Sequence, residues 1–139
     1  MATKRRQKYE TTAEKKATFM RPILAKTEGQ QAFINACEEG TIVLCNGPAG
    51  TGKTYIASNI ALKWLIDGRV DKIIMTRPIV ATEDIGYLPG DMNEKVSPYM
   101  MPLMDSIEAH IGLTKTKEFI EQGKIEIIPL AYSRGRTYN

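Results

Sequence analysis

Residues Thr41–Thr54, TIVLCNGPAGTGKT, decide how the rest of this chain is read. Four apolar residues, Ile42, Val43, Leu44 and Cys45, predict a short buried strand. A glycine-rich turn follows, and then the first residues of a helix. Gly47, Gly52, Lys53 and Thr54 match the pattern G-x-x-x-x-G-K-[ST]. Glycines at 47, 50 and 52 permit backbone angles and close approach that a Cβ would block. Successive N–H groups of Gly47, Pro48, Ala49, Gly50, Thr51 and Gly52 (proline excepted) then form an anion nest, with the positive end of the following helix behind them. In such a loop Lys53 reaches the β- and γ-phosphates and the Thr54 hydroxyl binds Mg²⁺. The alternative is a glycine-rich turn that binds nothing; the strand before it and the helix after it favour a nucleotide site.

Outward from this stretch, helical and strand patterns alternate, which makes α/β the expected class. Towards the N-terminus, Thr27-Glu28-Gly29-Gln30 opens a short helix with Phe33, Ala36 and Cys37 on its apolar face, closing near Gly40. Towards the C-terminus, a helix from Lys53 to about Asp67 repeats Ile56, Ala57, Ile60, Ala61, Trp64 and Leu65 at helical spacing, with Trp64 in the core. Gly68 is placed to end it in a left-handed cap. A second strand, Lys72–Thr76, stops at Arg77-Pro78, and a βαβ unit makes it parallel to the first. Residues 79–96 read as a long loop with a hairpin near Pro89-Gly90-Asp91. Ser97-Pro98 predicts the start of a helix bearing Met101, Met104, Ile107 and Ile111 on one side, kinked or delayed at Pro102. His110, late in that helix, suits a surface or packing role. A short helix over about Lys115–Gln122 ends at Gly123. Lys124–Ala131 predicts a third strand, with Pro129 marking an edge or a bulge.

The 139 residues are enough for one domain with a real core, and 42% of them are apolar. The net charge of +3 conceals an asymmetry, because residues 1–26 hold eight Lys/Arg against two Glu. Residues 1–26 are therefore read as a basic flexible tail, solvated or touching a polyanion, and 27–139 as the nucleotide-binding domain. Cys37 and Cys45 lack metal-ligand spacing, and buried free thiols in a reducing compartment are expected. No apolar run approaches ~18 residues and no h-region follows the charged start. A soluble cytoplasmic protein without membrane contact is expected.

Three further features bear on chemistry. Gln30, seventeen residues before Gly47, has the groups to pair with the N6/N7 edge of adenine and so select ATP over GTP. Thr27-x-x-Gln30 is equally a capping box, which would use the amide to close the helix start. Arg77 stands at the ligand edge of the sheet, suited to a phosphate or backbone contact or to a plain surface ion pair. Arg134 and Arg136 flank a glycine, within reach of a γ-phosphate, of a nucleic-acid backbone, or of solvent alone. One part is missing from this pattern: no strand ends in an acid that would hold Mg²⁺ and position water. Asp71 lies at the wrong end of the second strand, and Glu83, Asp84, Asp91 and Glu94 belong to the long loop.

Six blocks in order then carry a resemblance. They are Lys26-Thr27-x-Gly29-Gln30, Gly47–Thr54, Thr76-Arg77-Pro78, Gly86-Tyr87-Leu88-Pro89-Gly90-Asp91, Glu94-Lys95-Val96-x-Pro98-Tyr99 and Arg134-Gly135-Arg136-Thr137. Over residues 24–139 the chain resembles the PhoH-like family of P-loop ATPases, phosphate-starvation-inducible proteins of bacteria that are also common in phages. The resemblance implies a P-loop NTPase fold with a parallel sheet similar to the RecA-like core of superfamily-one helicases. It implies ATP and Mg²⁺ as ligands, ATPase activity linked to RNA or single-stranded nucleic-acid handling, and ring-shaped homo-hexamers with sites between subunits. It places Gln30 at an adenine-reading position and Thr76-Arg77-Pro78 at a strand-contacting motif. Arg134 or Arg136 becomes a charge-stabilising arginine beside the catalytic Lys53. In the family, the last block leads into a strand ending Asp-Glu-Ala-Gln, before which this sequence stops. The expectation is a core incomplete at its C-terminus that binds ATP and hydrolyses it poorly alone. The other reading is a non-hydrolysing nucleotide-binding or ring-partner module. A small P-loop kinase fits less well, for want of an arginine-rich lid and an acceptor pocket.

Overall fold

The computed structural model describes residues 20–78 and 92–138, the backbone alone at 92–97. The hairpin read near Pro89-Gly90-Asp91, most of the long loop with Glu83 and Asp84, and the first nineteen residues of the basic segment lie outside the described residues. The elements are α1 (Glu28–Glu39), α2 (Lys53–Ile66), β1 (Ile73–Arg77), α3 (Met92–Glu121), β2 (Ile125–Pro129) and a 3₁₀ turn over Leu130–Ser133. β1 and β2 form a two-stranded parallel sheet with Ile73 opposite Ile125 and Arg77 opposite Pro129. The chain is thus α/β, and the βαβ unit is β1–α3–β2, one element later than the sequence predicts.

The first predicted strand is the main correction. Residues 43–48 have no regular secondary structure, and Ile42 and Leu44 are 86% and 94% exposed. A parallel strand buries its faces and pairs its backbone only between neighbours. Among the described residues Thr41–Cys45 has no paired strand on either edge, so its alternate side chains stay in water. Cys45 is exposed with them, against the expected buried thiol, and Cys37 is half-buried. Burial, followed by the neighbouring Cys45 and Glu38, pushes the Cys37 thiol upward.

The core forms where α2 and α3 meet the sheet. Leu62, Leu65, Ile73, Ile107, Ile111, Phe119 and Ile125 make one buried cluster. Each such side chain contributes about 1.5–3 kcal/mol by leaving water. α2 buries residues around much of its circumference, Ser58, Asn59 and Leu62 as well as Ile56, Ile60 and Leu65. Of the predicted apolar positions Ile56, Ile60 and Leu65 are buried, Ala61 and Trp64 are half-buried, and Ala57 is exposed. Trp64 is half-buried and outside this cluster; its ring lies 4.8 Å beneath the Arg69 guanidinium, which pairs with Glu38 at 2.8 Å. The tryptophan covers the junction of α1 with the end of α2. Met20 packs against the core and Arg21 is hydrogen-bonded into it, so the packed chain takes in these two residues of the basic segment.

α3 starts at Met92 and not at Ser97, which places Pro98 and Pro102 inside it. Its buried face carries Met100, Ile107 and Ile111, whereas Met101 is 46% exposed. The helix changes direction at Gly112, whose φ of 79° and ψ of 164° are open in practice only to glycine. The Thr116 hydroxyl, fully buried, donates to the Gly112 carbonyl at 2.8 Å and holds that bend. Gly112→Ala is expected to lower stability by about 1–3 kcal/mol in urea unfolding, although the new methyl would meet nothing within 4 Å. An unchanged midpoint would show that the bend is not a fixed feature. β2 runs from Ile125 to Pro129, shorter than the predicted Lys124–Ala131, because Pro129 has no N–H to continue the ladder and Leu130 and Ala131 enter the 3₁₀ turn.

Candidate functional site

The turn from Asn46 to Gly52 enters α2 through two left-handed glycines, Gly50 (φ 77°) and Gly52 (φ 90°). Gly52 is the N-cap of α2, and no described side chain caps the helix there. Among the described residues the first-turn N–H groups of α2 thus have no capping side chain, and they stand at the positive end of the helix. Thr51 Oγ1 donates to the Pro48 carbonyl at 2.8 Å and braces the turn. Lys53 Nζ donates to the carbonyls of Gly47 and Pro48, both at 2.7 Å, so its ammonium lies folded over the loop. Thr54, the predicted Mg²⁺ ligand, is exposed at the same helix start.

A cavity of about 230 Å³ opens beside this turn, lined by Thr27, Gly29, Gln30, Phe33, Cys45, Asn46, Gly47, Pro48, Thr51, Lys53 and Ile56. Gln30 reaches it from the first turn of α1. Both readings of this residue have a counterpart in the geometry. Thr27 Oγ1 accepts from the Gln30 N–H at 3.1 Å, which is half of a capping box. The amide itself does not return to the cap residue. Its Oε1 accepts from Lys26 N at 2.7 Å, and its Nε2 donates to the Thr51 carbonyl at 3.0 Å. This fixes which amide end is oxygen and leaves one Nε2 hydrogen and one Oε1 lone pair for a ligand. A Cβ on Gly52 would stand 3.3 Å from Gln30 Nε2, so the glycine also makes room for this strut. Phe33 and Asn46 join the lining without having been singled out as ligand residues. Phe33 lies three positions from Gln30 on α1, and that spacing is the signal that places both on one face.

A family model described as PhoH-like protein matches residues 22–139. The chain belongs to the PhoH-like family. A PhoH-like protein of Bacillus subtilis (strain 168) is 49% identical over 116 residues, covering 83% of this chain and 36% of the relative. A PhoH-like protein of Synechocystis is 45% identical over 116 residues, covering 83% and 35%, and Protein PhoH of Escherichia coli K12 is 43% identical over 120 residues, covering 84% and 34%. This PhoH-like chain spans about a third of the length of the curated relatives it matches.

The other candidate residues of the PhoH-like chain fall in two places. Thr76, Arg77 and Pro78 are exposed at the carboxyl end of β1. Thr76 shares with Lys53 and Thr54 a groove of about 470 Å³ floored by Ala57, Ser58 and Ala61 of α2. The glycine-rich turn and the end of β1 therefore open into one space, as the sheet-edge rule anticipates. Arg136 is already engaged. It pairs with Glu126 of β2 at 2.6 Å, beside the Lys72–Glu126 pair at 2.7 Å, and lies over the Tyr138 ring. The bonds from Lys72 and then Arg136 hold the Glu126 carboxyl below the usual carboxylate range. Arg134 is exposed. Among the described residues Arg136 is the one of the two arginines that is ion-paired, because the 3₁₀ turn brings its guanidinium back along β2. No described helix is long and apolar enough to cross a membrane.

Proposed function

We propose that the chain is an ATP-binding P-loop domain in which Gly47–Thr54 cradles the phosphates and Gln30 reads the adenine edge. The observation that carries this is the Lys53 ammonium, held by two carbonyls over the uncapped start of α2. A phosphate oxygen exchanges favourably for those carbonyls, since a charged acceptor makes the stronger bond. The second Nε2 hydrogen and Oε1 lone pair of Gln30 match N7 and the N6 amine of adenine. Phe33 on the same wall offers an aromatic face to the base. Mg²⁺, held by the Thr54 hydroxyl and otherwise by phosphate and water, would neutralise charge on the β- and γ-oxygens.

The family resemblance extends this reading to an ATPase connected with RNA or single-stranded nucleic acid, working in the cytoplasm as a hexameric ring. Thr76-Arg77-Pro78 is then the strand-contacting segment, and Arg134 is the arginine left for a neighbouring subunit's phosphate. One observation favours the non-hydrolysing alternative for this chain by itself. β1 ends in Arg77 and β2 in Pro129, so neither described strand delivers a carboxylate to the phosphate end. Slow turnover with intact binding is the expected result.

Calorimetric titration with ATP and GTP, with and without Mg²⁺, run beside a phosphate-release assay, tests both readings. Gln30→Ala is expected to weaken ATP binding about tenfold more than GTP binding, the bidentate pair being lost on top of the Thr51 brace that serves both nucleotides. Equal losses for the two nucleotides would assign Gln30 to loop bracing alone. Brisk Mg²⁺-dependent release, abolished with Lys53, would overturn the non-hydrolysing reading.

A further inference from the structure

Three buried polar side chains, Ser58, Asn59 and His110, lie together behind the first two turns of α2. Ser58 and Ser106 share a hydrogen bond of 2.9 Å, and Ser106 donates onward to the Leu103 carbonyl. Asn59 Nδ2 donates to the Arg21 carbonyl at 2.9 Å, which can only accept, so this end of the amide is nitrogen. The same Nδ2 lies 3.1 Å from His110 Nδ1. That ring nitrogen must therefore be the acceptor. The proton is on Nε2, which donates to the Tyr55 carbonyl at 2.8 Å. The network accepts one neutral tautomer of His110 and no other form.

Tyr55 is the residue after Thr54, and its ring also packs against the imidazole, with centroids 4.2 Å apart. Inside α2 the Tyr55 carbonyl already faces the N–H four residues on. The imidazole is thus a lateral tie from α3 to the turn of α2 that follows the phosphate loop. The groups facing it are Tyr55 and Asn59 from α2 and the cationic Arg21 from the N-terminal segment. A proton on Nδ1 would point at the hydrogens of Asn59, and Asn59 cannot turn over without surrendering Arg21. Burial, outweighing the Tyr55 carbonyl and assisted by Arg21, lowers the His110 pKa from its ordinary value. The unfolded chain then takes up a proton that the folded one refuses, so stability falls as pH drops from about 6.5.

We propose that His110 is a positioning residue for the phosphate loop. Its neutral ring clamps the first turn of α2; a proton on Nδ1 sets two donors face to face at Asn59 Nδ2 and pushes the ring off its seat, which loosens the Tyr55 tie although Nε2–H remains a donor, so that anion binding at Gly47–Thr54 weakens on acidification. The second half of this statement rests on the nucleotide reading above; the clamp itself does not. Two measurements on the full chain separate them. In the nucleotide-free protein, the His110 ring, the Tyr55 carbonyl carbon and the Ile56 amide nitrogen are followed by NMR from about pH 7.5 to about pH 5. MgATP affinity is then measured at both ends for the wild type and for His110→Gln, whose shared behaviour removes the titration of the ligand.

The expected result is one midpoint for ring, carbonyl and amide in the wild type, and an affinity loss about tenfold larger than in His110→Gln, the worth of one such hydrogen bond. Asn59→Asp, which gives the imidazolium an acceptor, is expected to move that midpoint upward by more than about one unit. A titrating ring with still Tyr55 and Ile56 signals, or parallel affinity profiles in the two proteins, would overturn the proposal. No MgATP binding at pH ~7.5 would defeat the nucleotide reading, and the three NMR signals would then decide the clamp alone. Where acid unfolds the chain first, an unfolding pH lowered by His110→Gln supports the clamp and an unmoved one refutes it.

Discussion

Lys53→Ala is expected to weaken ATP binding by at least about a hundredfold while leaving the far-ultraviolet circular dichroism spectrum unchanged. The lysine has two acceptors in the free loop, the Gly47 and Pro48 carbonyls, each at 2.7 Å. With nucleotide bound it would exchange these for anionic oxygens, and bonds to charged groups are worth about 1.5–3 kcal/mol each. Two of them correspond to roughly two to four orders of magnitude in affinity. The fold should tolerate the loss because the side chain lies along an open turn and takes no part in the Leu62–Ile107 cluster. Lys53→Arg is a sharper probe. A planar guanidinium cannot replace a compact ammonium seated between two converging carbonyls, so retained charge should restore only a small part of the affinity. Binding within about threefold of wild type in the alanine variant would detach Lys53 from the phosphates.

The largest effect on stability is expected at Leu62. This side chain is fully buried at the centre of α2, packed with Ile107 and Ile125 in the cluster that joins both long helices to the sheet. Leu62→Ala removes its transfer free energy and leaves a cavity, at a cost of about 3–5 kcal/mol. A domain of this kind has about 5–15 kcal/mol in all, so the urea midpoint should drop by a large fraction. Leu44→Ala is the matching control. Leu44 is 94% exposed, and its truncation should change stability by less than about 0.5 kcal/mol. A comparable loss at Leu44 would mean that Thr41–Cys45 is packed after all.

That pair of leucines shows where sequence reading succeeds and where it stops. Signals local in the chain were legible. Thr27 caps α1, Gly68 is left-handed past the end of α2, and Gly123 follows α3, each fixed by the chemistry of one or two residues. Ile125–Pro129 pairs as a strand because its neighbour Ile73–Arg77 is within the described chain. Ile42–Cys45 has the same apolar character but no paired strand among the described residues, and a sequence pattern cannot supply one. Trp64 and Cys45 depart from their expected burial for a related reason, since apolar residues record a preference for burial without saying what covers them.

The site divides in the same way. The glycines, Lys53 and Thr54 occupy the turn and helix start their spacing implies. The ties that hold the turn were not legible, because they join residues distant in sequence. Gln30 to Thr51, His110 to Tyr55 and Arg136 to Glu126 depend on how α1, α3 and the last segment fold back. The salt bridge of Arg136 is the clearest case: adjacent to a glycine in the sequence it reads as a reaching cation, yet in the fold it already has a carboxylate.

The most direct test of the central claim is an amide-resolved titration of the isotopically labelled chain with ATP. If the turn cradles phosphate, the amides of Gly50, Thr51, Gly52, Lys53 and Thr54 should move first and furthest, saturably, with weaker shifts at Gln30 and Phe33. Unmoved amides across Gly47–Thr54 at millimolar ATP, or shifts scattered over the basic segment alone, would contradict the account.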